Sequence, residues 1–184
     1  MKDYRTETEN TIRATYGENA PYILRELADD FYFMNTERRR TNYDGKRRTD
    51  EELERVLSWE AARTIEKADR VNGYLLTPAT AKVGDGATVH YYSDSHAGTI
   101  IKVTKKTITV QRDKATLDPN WKPEFIIGGF CAHCTSQSEQ TYTYERNPDG
   151  ETWVFHWSDK YNCYGQPGNI RATKGRREFY DYNF

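Results

Sequence analysis

The chain changes character within the sequence NGYLLTPATAKVGDGATVHYY, residues 72–92. Asn72-Gly73 is a typical helix stop, because glycine adopts the left-handed conformation that ends a helix without strain. Pro78 disfavours helix at the residue before it, so residues 76–80 are interpreted as a short linker. From Thr88 onward β-branched and aromatic residues are frequent, as in strands. The stretch therefore predicts helices before it and strands after it.

Upstream of this stretch the apolar residues follow helical spacing. The clearest helix is predicted to begin at Thr49, which forms a capping-box pattern with Glu52, and to end at residues 72–73. A second helix is predicted over residues 21–35. Its apolar face would consist of Leu24, Leu27, Ala28 and Phe31. A shorter helix is predicted over residues 6–16.

Downstream of the stretch, short β-branched and aromatic runs predict strands. The predicted strands are Thr88–Tyr92, Thr99–Val103, Thr107–Gln111, Thr141–Glu145, Thr152–Trp157 and Phe179–Phe184. The turn residues 147–150 predict a β-hairpin between residues 141–145 and 152–157. Its buried face would consist of Trp153, Phe155 and Trp157. We expect an α+β protein, with a helical region at residues 1–77 and a twisted antiparallel sheet or partly open barrel at residues 78–184.

The overall charge of the 184-residue chain excludes two kinds of binding protein. Lys and Arg total 27, and Asp and Glu total 28. A protein that binds nucleic acid over its whole surface would be strongly basic, and one that mimics DNA would be strongly acidic. Only 36% of the residues are hydrophobic, but the 14% aromatic content supplies large side chains for a core. We expect a folded protein with a polar surface.

No segment predicts export or membrane insertion. The first residues lack the apolar centre of a signal peptide, and the longest nearly apolar run, Phe125–Ala132, is too short to cross a bilayer. The three cysteines, without an extracellular context, favour reduced thiols or a metal site over a disulfide framework. We expect a cytoplasmic protein with no membrane partner.

A series of motifs runs through the β-region in a fixed order. They are Val83–Val89, Tyr92–Ala97, Lys102–Thr104, Val110–Ala115, Tyr142–Gly150 and Gly175–Phe184. Together they resemble a family of small proteins encoded by bacteriophages and prophages, mostly of unassigned function, and the resemblance covers about residues 80–184. The glycine turn before Thr88 also resembles the opening of a Src-homology-3-like barrel. A phage module with an added helical region is similar in build to anti-CRISPR proteins, particularly those that act on type II effector nucleases. The resemblance implies the cytoplasm of a bacterial host cell.

The most prominent local feature is RRRTNYDGKRR, residues 38–48, which contains six basic residues and one acidic residue. Guanidinium groups suit phosphate oxygens or carboxylates, and a tyrosine can stack on a base. The predicted contact residues are Arg38, Arg39, Arg40, Tyr43, Lys46, Arg47 and Arg48. The alternative is a solvated loop whose charges meet Glu37 and the acidic residues within 50–54.

A second basic set lies on or beside the predicted strands. It consists of Lys102, Lys105, Lys106, Arg112 and Lys114. On a barrel face these side chains would follow a nucleic-acid backbone, and Lys105 and Lys106 are the predicted contact residues. The alternative is that the lysines protect edge strands and increase solubility.

Residues 131–134 form a C-x-x-C motif that predicts a metal site. Two thiolates in a tight turn, with two distant ligands, suit tetrahedral zinc. The predicted ligands are Cys131, Cys134, His156 and Cys163. The alternative is that the cysteines pack as small apolar side chains and the protein has no cofactor.

Binding is favoured over catalysis, because Asp94 and His96 are the one candidate acid/base pair and no nucleophile or cofactor motif accompanies them. The leading hypothesis is a phage counter-defence protein that binds and inhibits a type II RNA-guided DNA nuclease. Residues 38–48 would contact guide RNA, target DNA or an acidic groove of the ribonucleoprotein. The main alternative is a phage accessory protein that binds nucleic acid directly through the same residues and the lysine-bearing strands. A third hypothesis is a zinc-stabilised structural module.

Overall fold

The computed structural model describes residues 2–128 and 131–183, with the backbone alone at Cys131. The chain divides into two compact units, Met1–Leu75 and Leu76–Phe184, which we call the helical unit and the barrel unit. The division lies two residues before the predicted boundary. Helices followed by antiparallel sheets confirm the α+β class. Among the described residues, no helix combines the length and apolar character that crossing a membrane requires.

Five α-helices build the helical unit within its described residues. They are α1 (Tyr4–Tyr16), α2 (Ala20–Glu26), α3 (Ala28–Phe33), α4 (Thr36–Arg39) and α5 (Asp50–Tyr74), with a 3-10 turn at Gly17–Asn19. The predicted capping box begins α5: the Glu52 amide donates to the Thr49 hydroxyl over 3.2 Å, and the Thr49 amide donates to the Glu52 carboxylate over 2.9 Å. These bonds satisfy amides that a helix start would otherwise leave open.

The helix predicted over residues 21–35 is interrupted at Leu27, which separates α2 from α3. The side chains that the two short helices and the residue after them bury are Ala20, Ile23, Leu27, Phe31 and Met34. Leu24 is partly buried and packs against this core, whereas Ala28 is exposed, so the predicted apolar face was wrong at residue 28. Both sets have helical spacing, and the set that includes Ile23 and Met34 extends the apolar stripe further in each direction.

The barrel unit contains ten strands among its described residues. They are β1 (Gly86–His90), β2 (Ser95–Val103), β3 (Thr107–Arg112), β4 (Lys114–Leu117), β5 (Phe125–Gly128), β6 (Cys131–Cys134), β7 (Tyr142–Glu145), β8 (Thr152–Ser158), β9 (Cys163–Gln166) and β10 (Ile170–Lys174). Six of them close into an antiparallel barrel in the order β1-β10-β9-β8-β3-β2. Closure removes the exposed sheet edges that an open sheet would present. The pairs β4-β7 and β5-β6 form two separate small sheets.

Alternate residues of the barrel strands face its interior and form the core. The fully buried members include Val89, Ile100, Ile108, Val110, Phe155 and Tyr164. Trp153 is buried and Trp157 partly buried against the same cluster, which confirms that residues 153, 155 and 157 face inward. Aromatic side chains therefore fill part of the barrel core, together with aliphatic ones.

The predicted hairpin between residues 141–145 and 152–157 does not form. β7 pairs with β4, whereas β8 pairs with β3 and β9, so the turn at residues 147–150 joins two different sheets. Gly150 packs against the backbone: a Cβ built there would lie 2.1 Å from the Arg112 carbonyl oxygen. The predicted turn is present, and the Gly150 amide donates to the Asn147 carbonyl. The strand partners differ from the prediction because they depend on residues far away in the sequence.

Residues 176–183, which we call the strap, follow β10 and cross the sheets through side-chain contacts. In place of the last strand predicted over residues 179–184, the described residues 179–183 form one bridge, between Phe179 and Ser95, and Phe184 lies outside the described residues. Arg176 donates to the buried carboxylate of Asp113 over 2.7 Å and to the Thr99 hydroxyl over 2.8 Å. Near the end of the strap, Asn183 exchanges hydrogen bonds with the backbone of Cys134. The strap thus connects the barrel with the β5-β6 sheet.

Candidate nucleic-acid interface

Residues 40–48 fold into a short two-stranded loop directly after α4, which includes Arg38 and Arg39; we call the basic segment of residues 38–48 the basic hairpin. Thr41 and Arg47 form an antiparallel bridge, and the Asn42 amide donates to the Lys46 carbonyl over 2.7 Å. Further down, the Arg48 amide donates to the Arg40 carbonyl over 2.8 Å. These backbone bonds define the conformation of a segment that the sequence presented only as a charged loop.

Three of the predicted contact arginines are used inside the helical unit. Arg39 forms an ion pair with the buried Glu60 of α5 and donates to the Phe33 carbonyl over 2.9 Å. Arg40 pairs with Asp50, as the solvated-loop alternative expected for part of this segment. The Arg48 guanidinium donates to backbone carbonyls of the hairpin itself. These cations therefore hold the hairpin against the helices.

The remaining predicted contact residues face solvent. The Tyr43 side chain is fully exposed at the tip of the hairpin, and Lys46 and Arg47 are exposed beside it. Lys46 lies 3.4 Å from the Asp44 carboxylate, a surface pair that contributes little to stability. The described residues give Arg47 no ion pair within 4.0 Å. The exposed set combines one solvent-exposed aromatic ring with exposed positive charge.

Arg38 lies at the base of the hairpin and is arranged with aromatic rings. Its guanidinium lies 3.7 Å from the centroid of the Tyr32 ring, a cation–π contact. Tyr32 packs edge-on against Phe33, and both rings are about half exposed. A pocket of about 240 Å³ opens between Phe33, Arg38 and Tyr43, with Arg39 and Arg48 in its wall. We call this feature the aromatic–arginine pocket; none of its aromatic residues except Tyr43 was predicted from the sequence.

Lys105 and Lys106 lie in the barrel unit, at the turn between β2 and β3, and both are exposed. The Thr104 and Thr107 hydroxyls are 2.7 Å apart and accept or donate bonds that define this turn. The two lysines therefore belong to a different compact unit from the basic hairpin. Each set must be considered as a separate candidate contact.

The predicted zinc ligands are divided between two sheets. Cys134 is buried on β6, whereas His156 and Cys163 lie on β8 and β9 of the barrel. The Cys131 side chain lies outside what the structure describes. Among the side chains that are described, no three His, Cys, Asp or Glu groups are placed to hold one metal ion. Zinc binding stays a prediction.

Asp94 and His96, the candidate acid/base pair, each form a hydrogen bond with a residue of the strap. The His96 ring nitrogen lies 3.0 Å from Glu178, and the Asp94 carboxylate accepts from the Asp181 amide over 2.9 Å. Burial alone would raise the pKa of Glu178, but hydrogen bonds from His96 and the Ala97 amide, with the charge of Arg112, lower it below its usual value. The strap thus supplies the partner of His96, which the sequence did not indicate.

Comparison with protein-family models, curated proteins and solved structures gives no match. The resemblance to phage-encoded proteins therefore stays a prediction. What bears on function is the basic hairpin itself: an ordered loop with one exposed aromatic ring, exposed cations and a pocket walled by arginine and phenylalanine.

Proposed function

We propose that this protein binds single-stranded nucleic acid through the basic hairpin and the aromatic–arginine pocket. The observation that carries the proposal is the fully exposed Tyr43 ring, placed beside exposed cations and next to the pocket. Aromatic rings that stack on bases, combined with positive charge that follows the backbone, are the general means by which proteins bind single strands. The near-neutral charge of the whole chain is compatible with a contact confined to one surface.

The internal arginines strengthen the proposal because they preorganise the loop. Arg39 and Arg48 are already bonded within the helical unit, so the hairpin backbone does not have to be ordered at the moment of binding. Binding by a preformed loop avoids part of the entropy that ordering a flexible segment would require. Arg38, Tyr43, Lys46 and Arg47 then provide the contacts.

Fluorescence anisotropy with labelled single-stranded DNA and RNA tests the proposal. We expect Tyr43→Ala to weaken binding roughly 5- to 100-fold, the usual effect of losing one stacked base. Neutralising Arg38, Lys46 and Arg47 together should reduce the slope of log K against log salt by about 2, since each phosphate contact contributes about 0.7. Arg13→Ala is the matched control, because it removes an exposed cation of the helical unit outside the hairpin. Binding that Tyr43→Ala and the triple variant leave unchanged would refute the proposal.

A second candidate is counter-defence, in which the same hairpin binds nucleic acid held by a type II RNA-guided nuclease. It is favoured by the ordered motifs of residues 80–184 that resemble phage-encoded proteins. A single exposed aromatic–basic surface suits guide RNA or the displaced DNA strand, both of which such a nuclease presents as single strands. This candidate keeps the contact residues and adds a protein partner.

A cleavage assay separates the two candidates. Wild-type protein and the Tyr43→Ala variant are added to a panel of type II effector ribonucleoproteins, and target cleavage is measured at a salt concentration that abolishes binding to bare strands. Inhibition by the wild type that Tyr43→Ala loses would support counter-defence. Inhibition of no effector, with salt-sensitive binding to bare strands retained, would leave direct nucleic-acid binding as the function.

A further inference from the structure

A row of directly paired residues crosses the outer face of the barrel. His156 on β8 pairs with Gly165 on β9, and Gly165 pairs with Arg171 on β10. The neighbouring residues Phe155, Tyr164 and Ala172 are buried in the core, so side chains in this row point outward. The row therefore places an imidazole and a guanidinium on the same surface with a glycine between them.

Gly165 has no side chain, so the surface between these two groups is open. A Cβ built at Gly165 would meet only the Ile170 carbonyl oxygen, at an ordinary contact distance of 3.6 Å. The space above it belongs to a half-open pocket of about 570 Å³ that also includes Trp157 and Tyr161. This volume lies within the range of roughly 300–1,000 Å³ that small-molecule sites occupy. A side chain at residue 165 would fill part of that space.

Basic and aromatic side chains are among the groups that line the pocket. Arg171 and His156 are exposed, and within the described part of the chain neither forms an ion pair within 4.0 Å. The Tyr161 ring is 68% exposed, with the Lys160 ammonium 5.0 Å from its centroid. The pocket thus offers an anion contact and a ring for stacking.

We infer that this pocket binds a nucleotide, with the phosphate at Arg171 and His156 and the base against Tyr161. A guanidinium beside bare glycine backbone suits phosphate oxygens, because the anion can approach closely without steric hindrance. Free nucleotide and the phosphorylated end of a nucleic-acid strand share this chemistry.

Heteronuclear NMR titration and calorimetry with AMP, GMP, CMP and UMP test the inference. We expect amide shifts at residues 156, 165 and 171, and at least about tenfold weaker binding of the corresponding nucleosides. Arg171→Ala should weaken nucleotide binding roughly 10- to 100-fold, the effect of losing one hydrogen-bonded charge. Lys174→Ala is the matched control, because Lys174 is an exposed cation of the same strand outside the pocket.

Gly165→Ala supplies an independent test, since the structure has room for the methyl group and the variant should fold. The added methyl group should weaken nucleotide binding at least about fivefold, because it would occupy part of the pocket. A 5′-phosphorylated trinucleotide that binds more tightly than the mononucleotides would identify a strand end as the ligand, and equal or weaker binding would identify free nucleotide. Dissociation constants above about 1 mM for all four nucleotides, or binding that Arg171→Ala and Gly165→Ala leave unchanged, would overturn the inference.

The inference does not rest on the basic hairpin, and the two proposals fail separately. The Tyr43→Ala variant should bind mononucleotides in this pocket as the wild type does, because Tyr43 is not among the residues that line it. Amide shifts confined to the basic hairpin during the mononucleotide titration would overturn the inference and leave the proposed function standing.

Discussion

The buried carboxylate of Asp113 offers the sharpest test of how the strap stabilises the barrel. Its side chain is 2% exposed and accepts from the Thr99 hydroxyl over 2.7 Å and from the Arg176 Nε over 2.7 Å. Removing one partner of a buried ion pair typically costs about 3–5 kcal/mol. The Arg176 side chain is 31% exposed and regains water, which reduces its share, whereas the buried Thr99 hydroxyl loses its acceptor for about 1 kcal/mol. We expect Asp113→Ala to lower the free energy of unfolding by about 3 kcal/mol.

A loss of this size should lower the melting temperature of the barrel unit by roughly 12–18 °C. The assay is thermal and urea unfolding followed by tryptophan fluorescence in a Trp59→Phe background, because the other three tryptophans lie in the barrel unit. A double-mutant cycle with Arg176→Ala should give a coupling energy of about 2 kcal/mol. A loss below about 1 kcal/mol, or additive effects of the two substitutions, would refute the reasoning.

Three further predictions concern single side chains. Arg39→Ala should destabilise the helical unit by about 3 kcal/mol in far-UV circular dichroism melts, because it leaves the buried Glu60 carboxylate of α5 without its cation. Arg38→Ala, which removes only the cation–π contact with Tyr32, should lower stability by about 1 kcal/mol or less. Burial and the hydrogen bond to Asp69 raise the pKa of Tyr16 to about 12, so NMR titration should show it ionising about two pH units above an ordinary tyrosine, and Asp69→Asn should lower that value in part. The pKa of Glu178 is lowered in the folded state, so its contacts stabilise the barrel fully at pH values above its ordinary pKa of 4.5, and this stabilisation is lost as the pH falls below that value. Glu178→Gln should therefore make the melting temperature depend less on pH in the acid range.

Local sequence signals predicted the parts of the fold that local interactions determine. The start of α5 follows from Thr49 and Glu52, which are three residues apart and bond directly to each other's backbone. Inward-facing Trp153 and Phe155 follow from strand alternation. The partners of β7 and β8 were not predictable in this way, because each pairs with a strand earlier in the chain instead of with the other. The strap contacts, from Arg176 to Asp113 for example, join residues more than sixty positions apart.

The sequence predicted that residues 38–48 form a charged segment, but it did not predict which of their side chains are exposed. Composition alone cannot separate Arg39, whose partner Glu60 lies 21 positions away on α5, from Arg47, which faces solvent. Tyr32 and Phe33 belong to a helix that the apolar pattern described as a core element, yet their rings are about half exposed beside Arg38. The buried residues Ile23, Leu27, Phe31 and Met34 keep helical spacing, and residues 32 and 33 fall outside this stripe.

The pairing of β1 with β10, which closes the barrel, affects the order in which the two units fold during synthesis. The helical unit is stabilised by neighbouring helices, whereas barrel closure pairs Ala87 with Lys174, which are 87 positions apart. Contacts between distant residues form slowly, and domains emerge from the ribosome in sequence order. The basic hairpin should therefore be folded during synthesis, before β10 has been translated. Until then, the edges of β1 and β9 remain unpaired, and this interval is when the nascent chain most needs protection from aggregation.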